Sequence, residues 1–115
     1  MSSPTPRMIA KKDGAIGWMI FNNPERLNAV SLDMWEAVPS IIAGFEADPE
    51  IRVIVLKGAG DKAFVAGADI SQFGETRSSA AGVQTYEDAT TVAFETIARA
   101  DRPTIAMIDG YCIGG

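Results

Sequence analysis

The sequence Ala63-Phe64-Val65-Ala66-Gly67-Ala68-Asp69-Ile70 is the stretch on which the interpretation of the whole chain depends. It follows an apolar run from Val53 to Leu56. Its small side chains let a ligand approach the main chain, and Ala68 cannot shield its own backbone N–H. Asp69 is a good N-cap for a following helical turn, and an N–H just ahead of a helix can stabilise a negative oxygen. A tight strand-to-helix connection that binds no ligand is the alternative interpretation.

Length and composition limit the class of protein. The chain has 115 residues, of which 47% are hydrophobic and 22% charged, as expected for at most one soluble domain. The net charge of −5 without a basic block argues against nucleic-acid binding. Apolar runs of only a few residues argue against a membrane span. Cys112 has no second cysteine to pair with, which predicts a cytoplasmic location.

The sequence contains no histidine. Histidine acid–base catalysis, imidazole metal sites and a Ser-His-Asp triad are therefore excluded within this chain. We expect no metal site.

The first part of the chain predicts a hairpin followed by a helix. Residues 1–7 carry no apolar segment and are expected to be a disordered lead-in. The Asp13-Gly14 dipeptide lies between apolar runs, a pattern typical of a β-hairpin. Ser31 is a good N-cap for a helix from Leu32 to about Ala47, in which Pro39 predicts a kink or break.

The second part predicts a strand, a loop, a helix and another strand. Ile51 to Lys57 is apolar through its centre, like a buried parallel strand. Gly74 to Gly82 is rich in small and polar residues and is expected to be a mobile loop. A helix ending near Ala100 and a strand from Thr104 to Ile108 follow. The inner face of that helix is expected to carry Val83, Tyr86, Thr90, Ala93, Phe94 and Ile97.

The alternation of these elements predicts an α/β fold. The last predicted strand leads into Gly114-Gly115, and such a strand normally opens onto a helix. We therefore expect the sequence to be the N-terminal part of a longer domain, with residues 8–115 inside it.

Three segments in order resemble the enoyl-CoA hydratase/isomerase (crotonase) family. The similarity has the family's approximate spacing and extends from about Met8 to Gly115. The segments are Asn23-Pro24-Glu25-Arg26-Leu27-Asn28-Ala29, the Ala63 to Ile70 stretch, and Arg102-Pro103-Thr104-Ile105-Ala106-Met107-Ile108-Asp109-Gly110-Tyr111-Cys112-Ile113-Gly114-Gly115.

The resemblance implies a crotonase-like spiral of β-β-α units, assembled as homotrimers or homohexamers, that acts on acyl-CoA thioesters. Coenzyme A is then part of the substrate, and no separate cofactor is implied. By motif position, the backbone N–H groups of Ala68 and Gly115 would form an oxyanion hole. The residues that would contact the CoA moiety are Arg26, Leu27, Ala66, Gly67, Asp69 and Ile70.

Two backbone N–H groups can stabilise a negatively charged transition state without any ionisable side chain. Each can lower the activation free energy by about 3–4 kcal/mol. The catalytic glutamates of the family's hydratases correspond to positions after Gly115. The carboxylates present, such as Glu25 and Glu75, match no catalytic position of the family. The 115-residue chain by itself is therefore expected to be inactive.

The sequence thus predicts an enzyme of the crotonase family, with hydration of a 2-enoyl-CoA as the favoured reaction. Other enolate reactions on the same scaffold, namely isomerisation, decarboxylation or dehalogenation, are the first alternative. A non-catalytic CoA-binding or subunit-interaction module is the second, and a peptidase with the same spiral fold is the third. Gly74 to Gly82 would cover the acyl pocket.

Overall fold

Strands and helices alternate along the chain in β-β-α order. The structure is a computed structural model that describes residues 2–69 and 80–114. Its elements are β1 (Met8–Asp13), β2 (Ile16–Phe21), α1 (Leu32–Glu46), β3 (Val53–Gly58), β4 (Ala63–Ala66), α2 (Ala80–Ala98), β5 (Thr104–Met107) and β6 (Tyr111–Ile113). A short 3-10 turn, Pro24–Arg26, lies between β2 and α1.

The strands form two sheets. The larger has the order β1-β2-β3-β5, and the smaller consists of β4 and β6. The predicted hairpin is confirmed, because β1 and β2 pair antiparallel around Asp13-Gly14, where Gly14 has φ of 60°. The pairs β2–β3, β3–β5 and β4–β6 are all parallel, so the two strands of the second and third units enter different sheets.

The core lies between α1 and the larger sheet. Met19 and Ile54 from the sheet and Phe45 from α1 are fully buried. Gly17 on β2 leaves the space that the Phe45 ring occupies, since a Cβ there would lie 2.9 Å from that ring. The helical face predicted from sequence is the buried one: Trp35, Val38, Ile42 and Phe45.

Helix α1 runs unbroken from Leu32 to Glu46, so the break expected at Pro39 does not occur. Proline removes one helical hydrogen bond, which is costly in an isolated helix. Val38 and Ile41 on either side are almost fully buried, and tertiary packing of this kind stabilises a helix more than local propensity does.

The N-terminal residues lie against α1, where the sequence had predicted a disordered lead-in. Thr5 is buried, and its hydroxyl donates to Asp33 Oδ2 at 2.7 Å. Arg7 Nη1 lies 3.5 Å from Asp33 Oδ1. A carboxylate in the first turn of a helix attracts such polar partners, which the composition of the lead-in alone does not indicate.

Helix α2 begins inside the segment that the sequence predicted to be a loop. Residues 80–82 are helical, and residues 74–79 lie outside the described residues. Ala93 is fully buried as expected, but Phe94 is 45% exposed. Its ring contacts Trp35 edge-on, with the ring centroids 5.2 Å apart, so Phe94 lies at the rim of the helix pair and not inside it.

The backbone passes very close to other main-chain atoms at Gly58, where β3 ends. A Cβ on Gly58 would lie 2.2 Å from the Ala63 carbonyl oxygen and 2.5 Å from that of Phe64. Because backbone atoms cannot move aside, Gly58→Ala should destabilise the protein by about 2–4 kcal/mol, measured by urea unfolding.

Gly60→Ala is the matched control for this prediction. Gly60 lies in the same turn with φ of 74°, and no atom lies within 4 Å of its added Cβ. Only backbone strain of about 1–2 kcal/mol is expected there. Equal losses for the two variants would contradict the steric explanation.

A pH-dependent contribution to stability is expected from Asp33. Burial raises the pKa of this carboxyl, but hydrogen bonds from Ser31 and Thr5 and the charge of Arg7 outweigh it, so the pKa is lowered. The stabilisation is therefore present above the unfolded-state pKa of about 3.9 and is lost as pH falls through the lower folded-state pKa.

Asp33→Asn should accordingly reduce the free energy of unfolding by about 0.5–1 kcal/mol at about pH 7, a value typical of partly exposed pairs. Urea unfolding at acidic pH should show a smaller difference between the two proteins than at about pH 7, because protonation of Asp33 removes its charge. A difference that is the same at both pH values would rule out the charge of Asp33 as its source.

Candidate functional site

Two parallel strands end side by side and bring two of the quoted segments together. Ala66 at the end of β4 is in register with Ile113 at the end of β6. Each is followed by a glycine of positive φ, 84° at Gly67 and 62° at Gly114. A Cβ on Gly114 would lie only 3.2 Å from Gly67 Cα, so the close contact of the two backbones requires small residues.

Ala68 follows Gly67 as Gly115 follows Gly114 in the sequence. Gly115 and Ile70, two of the predicted site residues, lie outside the described residues. Ala68 is exposed.

Val30, in the loop before α1, fixes the direction of the Ala68 N–H. The Val30 N–H donates to the Gly67 carbonyl at 2.8 Å, and the Asp69 N–H donates to the Val30 carbonyl at 3.0 Å. The Gly67 carbonyl and the Ala68 N–H belong to one trans peptide plane, in which they point in opposite directions. The Ala68 N–H therefore points away from Val30, and residues 2–69 and 80–114 supply no hydrogen-bond acceptor for it.

A pocket opens beside Ala68, between α1 and α2. Its volume is about 310 Å³, and it is lined by Trp35, Ala68, Tyr86, Thr90 and Phe94. Three of these five side chains are aromatic, and Thr90 donates its hydroxyl to the Tyr86 carbonyl at 2.9 Å. The pocket therefore offers a mainly apolar surface directly next to a backbone donor.

Tyr86 connects both helices to the Val30 segment. Its hydroxyl donates to the Val30 carbonyl at 2.9 Å and accepts from Trp35 Nε1 at 3.0 Å. The Val30 carbonyl thus accepts hydrogen bonds from both Tyr86 and the Asp69 N–H. The wall of the pocket and the orientation of the Ala68 peptide depend on the same carbonyl group.

The loop before Val30 has an unusual backbone. After the 3-10 turn, Leu27 and Asn28 both adopt left-handed conformations, with φ of 54° and 59°. Such conformations are unfavourable for non-glycine residues and need compensation. Asn28 supplies it, since its buried Nδ2 donates to the Ala59 carbonyl at 3.0 Å and the Ala63 carbonyl at 2.8 Å.

The Asp69 carboxylate points into the protein. It is 3% exposed, and its Oδ2 accepts from Asn23 Nδ2 at 3.0 Å. Arg26 Nε lies 3.9 Å from Oδ1. The Asp69 side chain thus belongs to an internal polar network, and any contact it makes with CoA would come from its main chain.

The structure therefore brings Arg26, Gly67, Ala68 and Asp69 together. Leu27 lines a separate pocket of about 200 Å³ beside the turn between β3 and β4. No local sequence pattern predicts a role in the site for Asn23, Asn28, Trp35 or Tyr86. Asn23, directly before Pro24, indicates only a turn. Its partner Asp69 lies 46 residues away in the sequence.

Comparison with known proteins identifies the family. The family model for enoyl-CoA hydratase/isomerase matches residues 16–115. The chain belongs to this family.

Individual relatives carry two different names. A short-chain-enoyl-CoA hydratase of Clostridium acetobutylicum is 32% identical over 94% of this chain and 41% of its own length. A mitochondrial 3-hydroxyisobutyryl-CoA hydrolase of Rattus norvegicus is 34% identical over 96% of this chain and 29% of its own length. The chain thus spans less than half the length of either relative.

A solved structure confirms the predicted fold class. The enoyl-CoA hydratase/carnithine racemase from Magnetospirillum magneticum superimposes with a TM-score of 0.89 at 35% identity, covering 97% of this chain and 42% of that one. The fold is crotonase-like, and the observed β-β-α order is that of its repeating units.

The part of the chain that the structure describes contains neither a candidate membrane-spanning helix nor a candidate metal site. Neither helix there has the length and apolar character needed to cross a membrane. Within residues 2–69 and 80–114, no three histidine, cysteine, aspartate or glutamate side chains lie together as metal ligands would.

The hydroxyl of Tyr86 provides a test of the link between the helices and the loop. Tyr86→Phe removes its donor to Val30 and leaves Trp35 Nε1 without this acceptor. The free energy of unfolding should fall by about 1–3 kcal/mol, measured by urea unfolding. Tyr111→Phe is the matched control, since Tyr111 is 56% exposed and should tolerate the change. A comparable loss for both variants would contradict the assigned hydrogen bonds.

Proposed function

We propose that the protein containing this chain acts on acyl-CoA thioesters through an enolate-like intermediate, whose thioester oxygen accepts a hydrogen bond from Ala68. The favoured reaction is addition of water to a 2-enoyl-CoA. The Ala68 N–H carries this proposal. The two hydrogen bonds that Val30 makes with Gly67 and Asp69, which we call the Val30 bridge, turn this N–H away from Val30, and Ala68 itself is exposed.

The proposed chemistry follows from where charge develops. When a nucleophile adds to C3 of an enoyl thioester, electron density moves through C2 to the thioester oxygen. A preoriented N–H directed at that oxygen stabilises the transition state more than the ground state, by about 3–4 kcal/mol. No reorganisation of the donor is needed, since its peptide plane is already fixed by Val30 and Asp69.

A second donor from Gly115 completes the proposed oxyanion hole. The register of β4 with β6 supports it, since Ala66 pairs with Ile113 and the Gly67 and Gly114 backbones are in contact. The residues after each glycine, Ala68 and Gly115, therefore occupy corresponding positions in sequence. Proton transfer is assigned to the family's glutamates and to no residue described here.

The apolar pocket beside Ala68 is proposed to hold the acyl group. Its aromatic walls from Trp35, Tyr86 and Phe94 suit a hydrocarbon chain and exclude water from the developing charge.

The CoA moiety is proposed to lie along the loop and the end of β4. Arg26 and Leu27 would flank it, and the main chain of Ala66, Gly67, Asp69 and Ile70 would line its adenine end. The side chain of Arg26 is 56% exposed, and its guanidinium suits a phosphate. Assembly as a homotrimer or homohexamer remains an expectation from the family resemblance, and a cytoplasmic location remains one from the single cysteine.

Thioester hydrolysis is the second candidate reaction, because relatives named 3-hydroxyisobutyryl-CoA hydrolase match as well as the hydratases do. The same backbone donor would serve it, with the oxygen of the thioester carbonyl again the charged atom. Two assays separate the reactions: loss of the enoyl absorbance of crotonyl-CoA, and release of the CoA thiol from 3-hydroxyisobutyryl-CoA.

The donor itself is tested by Ala68→Pro in the protein that contains this chain. Proline deletes the N–H, and neither hydrogen bond of the Val30 bridge uses that group. The value of kcat should fall by about 10²–10³-fold for whichever substrate the parent protein turns over.

Ala68→Ser keeps the N–H and should cost far less. Circular dichroism and thermal unfolding of both variants show whether the proline variant is folded. A folded proline variant with the parent kcat would exclude Ala68 as the donor and with it the proposed mechanism.

A further inference from the structure

We propose that Asn23 is a positioning residue for the Ala68 N–H, acting through Asp69 and the Val30 bridge. This inference rests on the proposed function. It concerns a side chain whose amide donates to Ala29 and Asp69 and not to Ala68.

One amide group of Asn23 spans the bridge. Its Nδ2 donates to the Ala29 carbonyl at 2.8 Å and to Asp69 Oδ2 at 3.0 Å. Ala29 is the neighbour of Val30 on one side of the bridge, and Asp69 is the neighbour of Ala68 on the other. Asn23 therefore holds together the two backbone segments whose relative position sets the direction of the Ala68 peptide.

Burial makes this contact energetically important. A carboxylate with 3% exposure is unfavourable unless hydrogen bonds replace its lost hydration. Arg26 Nε, at 3.9 Å, is beyond hydrogen-bonding distance, whereas Asn23 Nδ2 is within it. Without Asn23, the Asp69 carboxylate loses one of its hydrogen-bond donors and its link to the Ala29 carbonyl, and we expect the peptide next to Asp69 to shift.

The position of Asn23 is itself fixed by Asn28. The Asn23 N–H donates to Asn28 Oδ1 at 2.9 Å, and Asn28 Nδ2 is anchored on the carbonyls of Ala59 and Ala63. The chain of contacts thus runs from the turn before β4, through both asparagines, to the residue after Ala68. Each member has little freedom to compensate for loss of the next.

The preceding residue offers a matched control. Asn22 Nδ2 is exposed and donates to the Pro6 carbonyl at 3.0 Å, away from the bridge. Asn22→Ala and Asn23→Ala remove the same side chain at adjacent positions, but only the second affects the contact with Asp69.

The experiment compares kcat, KM and thermal unfolding of these two variants in the protein containing this chain, with crotonyl-CoA and 3-hydroxyisobutyryl-CoA as probes. Asn23→Ala should lower kcat by about 10–100-fold, since a displacement of about 1 Å in a catalytic group can cost about 100-fold. KM should change little, and Asn22→Ala should keep the parent kcat. Equal effects of the two variants, or an effect of Asn23→Ala on KM or thermal stability alone, would overturn the proposal.

A double-mutant cycle with Ala68→Pro separates this inference from the proposed function. If Asn23 acts through the Ala68 N–H, Asn23→Ala should lower kcat in the parent background and have little effect once the donor is gone. An equal loss in both backgrounds would exclude Asn23 as a positioning residue and leave the donor role of Ala68 intact. A proline variant that retains the parent kcat would instead exclude the proposed function.

Substitutions of Asp69 provide a second test, which does not require the Ala68→Pro variant to fold. Asp69→Asn keeps an oxygen that can accept from Asn23, whereas Asp69→Ala has none. Asp69→Asn should therefore retain the higher kcat, and the reverse order would contradict positioning through this contact.

Discussion

The pair of hydrogen bonds between Val30 and residues 67 and 69 is the interaction on which the site depends. It joins the loop before α1 to the end of β4 at 2.8 Å and 3.0 Å. Because a peptide group is planar and trans, accepting a bond at the Gly67 carbonyl determines where the next N–H points. Two hydrogen bonds between irregular segments thus orient a backbone donor for which the described residues, 2–69 and 80–114, supply no acceptor.

Close backbone contact is the second requirement, and glycine provides it. Gly58 lets the end of β3 approach the carbonyls of β4, and Gly67 and Gly114 let β4 and β6 end against each other. The strands of successive β-β-α units therefore terminate at one place with their small residues adjacent. The fold creates the site from repeated local geometry and not from a cluster of ionisable side chains.

Local patterns in the sequence predicted much of the fold. The Asp13-Gly14 turn, the apolar face of α1 and the buried β3 each depend on residues close in sequence, so spacing and turn chemistry were sufficient. The helix through Pro39 was predicted less well, because packing against other elements outweighs local propensity there. The start of α2 was missed because Ala80 and Ala81 were grouped with a loop of small residues, although alanine favours a helix. The Asn23–Asp69 contact joins residues 46 apart, and no local pattern indicates such a pairing.

The negative charge of Asp69 lies close to the proposed oxyanion site, and Asn23 and Arg26 partly compensate it. A negative charge next to a position where an oxyanion forms would raise the energy of that oxyanion, the more so in a site with little water. The carboxylate is directed into the loop, where Asn23 donates to it and the Arg26 guanidinium lies 3.9 Å away. A charge held in this way contributes to the shape of the site while part of its field is compensated. Since Arg26 is also the residue expected near the CoA phosphates, a bound phosphate and Asp69 would share one cation, and substrate binding would alter the field around the donor.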